Sequence, residues 1–146
     1  MGKSGDIMFI GQYQYNIDEK GRLVIPYILR KSLGAEVIVN KGIEECITIY
    51  TLEDWNTLVE KISLLPFNRS DNRQFTRYFM SSAFQKELDG QGRINLDQIL
   101  LNHAKITKEC VIIGCGKTIE IWSKEKWEEV EAGRNKLEEI SESIDF

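Results

Sequence analysis

The chain has 146 residues, 42% of them apolar and 29% charged, with a formal net charge of −4, the proportions of one soluble globular domain or of two small halves fused. No apolar run approaches the ~20 residues of a membrane span and no signal-peptide pattern opens the chain, so no membrane role and a cytoplasmic location are expected. The three cysteines are an odd number, and Cys46 and Cys110 sit in or beside apolar strand patterns, as buried free thiols of a reducing compartment do.

Residues 1–7 are small, polar and without pattern; they read as a disordered leader ahead of a natural start at Met8. Phe9, Gly11, Tyr13, Tyr15 and Ile17 then alternate with polar positions, which predicts a strand over 9–17. Asp18-Glu19-Lys20-Gly21-Arg22 follows. Its glycine suits a position needing positive φ, and its aspartate can accept from backbone amides two residues on, so the five residues predict a tight turn. A short strand over 23–25 stops at Pro26, which suits the first turn of a helix over 27–33, and Gly34 is expected to close that helix in the left-handed region. Two strands are predicted over 36–40 and 46–50. Thr51 is an N-cap candidate for an amphipathic helix on which Trp55, Leu58, Val59 and Ile62 share a face, and Pro66 ends it. Phe75, Tyr78 and Phe79 fall at helical spacing over 71–82. Following the helix period, they are expected in the core rather than as a base-stacking platform.

The same order then returns. A run over 83–88 leads into Asp89-Gly90-Gln91-Gly92-Arg93, 71 residues after the first turn. A strand over 94–96, a helix from Asp97, two more strands and a longer helix capped by Ser123 complete it. Residues 28–33 match 99–104, 37–39 match 111–113, 47–50 match 119–122, and Trp55 falls opposite Trp127. Two copies of one unit this small bury little surface alone, so they are expected to share a core. The fold class is α+β, a mainly β core with helices. Its divisions are a first repeat over 8–65, a helical linker over 66–82, a second repeat over 83–130 and an acidic C-terminal helix or tail over 131–146.

Residues 123–146 hold eight acids against four bases and so carry the whole net charge. Residues 14–33 are locally basic, and the linker adds Arg69, Arg73 and Arg77 against Asp71. An acidic tail on a protein with a basic working face leaves nucleic acid open as a partner. Cys110, Cys115 and His103 lack a fourth ligand or a second Cys pair, so no metal and no cofactor are expected. His103 is the single histidine and no motif serine accompanies it; no enzyme and no small-molecule substrate are expected.

The chemistry lies in the paired turns. Arg22 and Arg93, with Lys20 and Gln91 beside them, stand on exposed edges, while Asp18, Gly21, Asp89 and Gly92 shape the loops. Three readings compete. The arginines grip phosphates and guanine edges in a major groove, with Gln91 placed to read adenine. They pair with acids of another protein, making an assembly module. Or they bond their own Asp18 and Asp89 and do nothing further.

The Asp-x-Lys-Gly-Arg-x-x-x-Pro run of the first copy and the Asp-x-x-Gly-Arg of the second resemble the MraZ family of bacterial transcriptional regulators. The runs over 43–50 with Trp55, 113–114 and 119–127 are similar too, and the resemblance covers roughly 8–130. It implies a pseudo-symmetric, duplicated AbrB-like swapped-hairpin barrel in one chain. It further implies a nucleoid-associated regulator of the division and cell-wall gene cluster. Such a regulator binds tandem promoter repeats in double-stranded DNA as a closed-ring homo-oligomer. The resemblance makes Arg22 and Arg93 the DNA contacts with Lys20 in support; Gln91 comes from the residue reading alone. The alternative is a non-enzymatic protein-binding assembly module or an antitoxin-like AbrB-type regulator. In the second copy Asp97 replaces Pro26 and Gly90-Gln91 replaces Glu19-Lys20, so the two loops are expected to contribute unequally.

Overall fold

A computed structural model describes residues 8–145; the leader predicted over 1–7 lies outside them. The first copy supplies β1 (Gln12–Asn16), β2 (Arg22–Val24), α1 (Tyr27–Leu33), β3 (Glu36–Lys41), β4 (Ile47–Thr51) and α2 (Leu52–Ser63). A linking helix, α3 (Ser70–Ser81), leads into β5 (Phe84–Glu87), β6 (Arg93–Asn95), α4 (Gln98–Ala104), β7 (Glu109–Gly114), β8 (Thr118–Ser123) and α5 (Lys124–Ala132). Gly133 stops α5. A 3-10 turn over Arg134–Lys136 and a short α6 (Leu137–Glu142) follow.

Several ends are set by local chemistry. The Thr51 hydroxyl accepts from the Asp54 amide at 3.1 Å and the Ser123 hydroxyl from the Lys126 amide at 3.0 Å, so α2 and α5 both begin on side-chain caps. Gly34 takes φ +88° with ψ 170°, a positive φ outside the left-handed helical region expected for it. The first strand is shorter than the alternation predicts. Gly11 turns the chain at φ +96°, so Phe9 makes only an isolated bridge to Gly116 and the regular ladder starts at Gln12.

The strands pair across the copies. Six of them form one antiparallel sheet in the order β1-β7-β8-β4-β3-β5, and β2 pairs only with β6. Exchanging β1 with β5, β3 with β7 and β4 with β8 reads this order backwards, so a pseudo-twofold axis runs between β4 and β8 and between β2 and β6. The outer strand at each edge therefore belongs to the other copy than the hairpin it joins. The expected closed barrel is not formed. The large sheet is open at β1 and β5, because the three-residue β2 and β6 spend their ladder bonds on each other.

One core serves both copies. Leu23, Ile25, Ile94 and Leu96 of the ribbon are buried together with Leu29 and Leu33 of α1, Leu100, Leu101 and Ala104 of α4, and Val37, Ile49, Ile112, Ile119 and Ile121 of the sheet. Neither half could bury such a set alone. The buried Asn40 side chain donates to the Phe79 carbonyl and accepts from the Ser82 hydroxyl, which ties β3 to the end of α3. The linker aromatics are less buried than their helical spacing predicts. Phe79 stacks on Trp55 and Phe75 stacks on Phe79, but no residue of α3 is fully buried, and Tyr78 is exposed. The helix sees solvent along most of its length.

Cys46 and Cys110 are buried free thiols and Cys115 is exposed. Burial pushes the Cys46 thiol up to about 12 and that of Cys110 up to about 11, so both stay protonated near neutral pH. The His103 Nε2 lies 3.1 Å from the Gly42 carbonyl oxygen and 2.9 Å from that of Glu44, pinning the loop between β3 and β4. Among the described residues no three His, Cys, Asp or Glu side chains gather as a metal site would require.

Candidate nucleic-acid interface

The β2–β6 ribbon determines where the two turns point. Arg22 pairs with Asn95, Leu23 with Ile94 and Val24 with Arg93. Side chains alternate across a strand and directly opposed residues share a face. Leu23 and Ile94 are fully buried, so Arg22, Val24, Arg93 and Asn95 stand on the outward face. From strand spacing, the Arg22 and Arg93 α-carbons are about 8 Å apart along the ribbon diagonal. Both arginines thus fit on a surface that a major groove of about 12 Å admits.

Each turn is built the same way. The Asp18 amide donates to the Arg22 carbonyl at 2.9 Å and the Gly21 amide donates to the Asp18 carbonyl at 3.0 Å; the equivalent bonds in the second turn are 3.0 and 2.9 Å. Gly21 and Gly92 take φ of +78° and +75°, which a side chain would strain. Asp18 Oδ1 accepts from the amides of Lys20 and Arg22, and Asp89 Oδ1 from those of Gln91 and Arg93. The other carboxylate oxygen of each aspartate accepts from the arginine Nε, at 2.8 Å for Arg22 and 2.7 Å for Arg93. The turns also lock into each other. The Ile25 amide donates to the Gly92 carbonyl, the Leu96 amide to the Gly21 carbonyl, and the Asn95 side chain to the Lys20 carbonyl.

These bonds answer part of the competition among the three readings. Each arginine is paired with its own aspartate, yet only through Nε. Both Nη nitrogens of Arg22 and Arg93 lack a hydrogen-bond acceptor among the described residues. A guanidinium held by Nε has its plane fixed while its terminal fork stays available. That is a pre-oriented donor pair for a phosphate or a guanine edge. The backbone amide of Arg22, followed by its guanidinium and the Lys20 amide, holds the Asp18 carboxyl below its usual 3.8, and Arg93 and Gln91 do the same for Asp89. A carboxyl with a depressed folded pKa keeps its pairing above the unfolded value and loses it as pH falls through the lowered one. Carboxyl NMR titrations of Asp18 and Asp89 are therefore expected to give midpoints below 3.8, with both turns loosening only in stronger acid.

The two turns differ in what lies behind them. Arg30 of α1 donates Nε to the Ile25 carbonyl at 3.1 Å and its guanidinium lies 5.5 Å over the Tyr27 ring. A β-carbon added to Gly92 would meet that guanidinium, so Arg30 is packed directly against the second turn. The residue equivalent to Arg30 in the second copy is Leu101, whose methyl approaches Gly21 of the first turn. The first turn thus offers Lys20 and Arg22, and the second offers Gln91, Arg93 and a guanidinium lent by the first copy. In the sequence Arg30 counts only as one basic residue of a basic stretch. Its partner lies 62 residues away, and no local pattern announces that contact. Asp97, the acid in place of Pro26, is neutralised by an ion pair with Lys86.

Comparison with known proteins agrees with this duplication. The family described as "MraZ protein, putative antitoxin-like" matches twice, over residues 8–78 and 79–144. Proteins named Transcriptional regulator MraZ from two strains of Lactobacillus delbrueckii subsp. bulgaricus are 46% identical over 139 residues, 94% of this chain and 97% of theirs. One of the same name from Caldanaerobacter subterraneus subsp. tengcongensis is 42% identical over the same shares.

Proposed function

The chain belongs to the MraZ family, and from that membership we propose that it regulates transcription by binding double-stranded DNA through its paired Asp-x-x-Gly-Arg turns. The observation that carries this reading is the outward ribbon face: Arg22 and Arg93 side by side, each fixed through Nε with its fork free. Arg22 and Arg93 contact guanine edges or phosphates, and Lys20 adds attraction to the backbone. Gln91 reads a base edge beside Arg93, and Arg30 supplies a third fixed guanidinium at the second turn. Asp18, Gly21, Asp89 and Gly92 hold the geometry. The relatives' printed name supports regulation of transcription as the outcome. The targets we propose are tandem repeats in the promoter of the division and cell-wall gene cluster, in the nucleoid.

A protomer of net charge −4 with four cationic contacts binds one short site weakly. Several protomers on tandem repeats raise the effective concentration of each further contact, so the functional unit we propose is a closed-ring homo-oligomer. Its binding is expected to weaken steeply with salt. The log–log slope is about −0.9 per phosphate neutralised, roughly −3 to −4 for each engaged protomer. A mobility-shift titration over a salt series measures this. Affinity insensitive to salt, or equal for one repeat and for three, would contradict the reading.

A further inference from the structure

The pseudo-twofold axis that relates the two turns also relates two clefts beside them, and the clefts differ in charge. The turns stand at opposite ends of the β2–β6 ribbon, since Arg22 pairs with Asn95 and Val24 with Arg93. Beside the first turn the Ile17 amide donates to the Lys108 carbonyl at 2.8 Å; beside the second the Leu88 amide donates to the Ala35 carbonyl at 2.9 Å. Lys108 and Ala35 are therefore equivalent, each one strand spacing of about 5 Å from the residue that precedes a turn aspartate. Gly34 and Lys105 are equivalent in closing α1 and α4, and Leu52 and Lys124 in opening α2 and α5. At each of these positions an uncharged residue of the first copy is a lysine in the second.

The lysines meet in one cleft. It is a polar cavity of about 300 Å³ in which Lys105, Lys108 and Lys124 stand against Glu109 and Glu125, with Asn16 of β1 on its wall. The equivalent cleft of the first copy holds Lys31 against Glu36 and Glu53. One base against two acids thus becomes three bases against two. Among the described residues Lys105 alone, of those other than glycine, takes a positive φ, 57°, where the first copy has Gly34. A side chain is kept there against the preference of the backbone. Lys105 Nζ lies 3.1 Å from a Glu45 carboxylate oxygen and Lys124 Nζ a looser 3.9 Å from one of Glu109, while Lys108 makes no ion pair among the described residues.

We infer, resting on the DNA reading above, that Lys108 and Lys124 take a sugar-phosphate strand of the duplex beside the first turn, and that this one-sided contact fixes which way round the protomer sits on a repeat. An element seated in a major groove of about 12 Å has a phosphate strand on either side, so whatever flanks a turn meets backbone. Lysine suits that place, because its flexible stem carries a point charge that positions without reading sequence. Lys105, held by Glu45, strengthens the local field rather than making a contact of its own. The turn arginines by themselves choose an orientation poorly, since the axis exchanges Arg22 with Arg93. A tandem repeat has a direction. Lysines beside one turn, with Glu36 and Glu53 beside the other, give the protein a direction to match it.

Lys108→Gln with Lys124→Gln in the full-length protein tests this, beside a control, Lys61→Gln with Lys117→Gln, that removes the same charge from α2 and from the β7–β8 hairpin. The salt slope given above counts the cations of the ribbon and α1 alone. The cleft steepens it by about 1.8, two contacts at about 0.9 each. On a duplex carrying a single repeat, the cleft variant is therefore expected to fall back to roughly −3 to −4 per protomer, while the control keeps the wild-type slope. Lys108→Arg with Lys124→Arg should keep it too, which separates loss of charge from loss of shape. Phosphate-ethylation interference on the same duplex locates the contact. For the wild type it is expected over the repeat and on one flank, and the cleft variant should lose the flank alone. A slope and interference pattern unmoved in the cleft variant, a wild-type pattern symmetric about the repeat, or a control as weakened as the cleft variant would overturn the inference and leave the DNA reading standing. A wild-type protein that bound no duplex would remove both.

Discussion

Replacing Arg22 and Arg93 together with alanine is expected to abolish a mobility shift on the promoter DNA upstream of the protein's own gene, while the melting temperature moves by a few degrees at most. Each bidentate arginine contact contributes about 1–3 kcal/mol of base discrimination. Losing both on every protomer therefore multiplies into a loss of more than about a hundredfold on tandem sites. The folded state loses much less. The Asp18–Arg22 and Asp89–Arg93 pairs lie at the surface, where ion pairs contribute little, and the amide bonds that shape each turn do not involve the guanidinium. Arg30→Leu, which gives the first copy the residue of the second, should weaken binding by less than Arg93→Ala. It removes one guanidinium from one turn and leaves Asp89 with its partner. A melting temperature that fell steeply with either turn arginine would favour the self-paired reading, in which the arginines serve only the turn.

Ile94→Ala is expected to show the opposite signature. Ile94 is fully buried opposite Leu23 in the ribbon, beneath both turns and within the core the two copies share. Truncating it leaves a cavity in a region that cannot collapse without breaking the cross-copy bonds of Gly21 and Gly92, so about 2–5 kcal/mol of stability should be lost. Urea denaturation checks this as a lower midpoint with an unchanged slope. DNA binding should fall in parallel with stability, because the ribbon that spaces the arginines is what loosens. The contrast between the two variants separates a residue that contacts DNA from one that holds the contacts in place.

Much of this arrangement is written locally. A threonine or serine ahead of an amphipathic run specifies the starts of α2 and α5 without help from the rest of the chain. The Asp-x-x-Gly-Arg order specifies its own turn, since carboxylate, amides and guanidinium all lie within five residues. The duplication was legible for the same reason, as each unit repeats its local signals. What the sequence hides is non-local. Nothing in the alternation of β1 says that it joins β7 of the other copy, or that β2 and β6 pair only with each other and leave the sheet open. Arg30 against Gly92 is the same kind of contact on a smaller scale. The aromatics of α3 show a limit of periodicity, which places Phe75, Tyr78 and Phe79 on a helix but does not say how much covers it.

Hydrogen–deuterium exchange of the wild-type protein, alone and saturated with a three-repeat promoter duplex, tests the central claim most directly. Slower exchange is predicted in peptides covering residues 18–25 and 89–96 and at Arg30, with the sheet strands β4 and β8 unchanged. Unaltered exchange in both turns, with protection confined to the linker helix α3, would show that DNA lies on the arginines of the linker and would contradict the account.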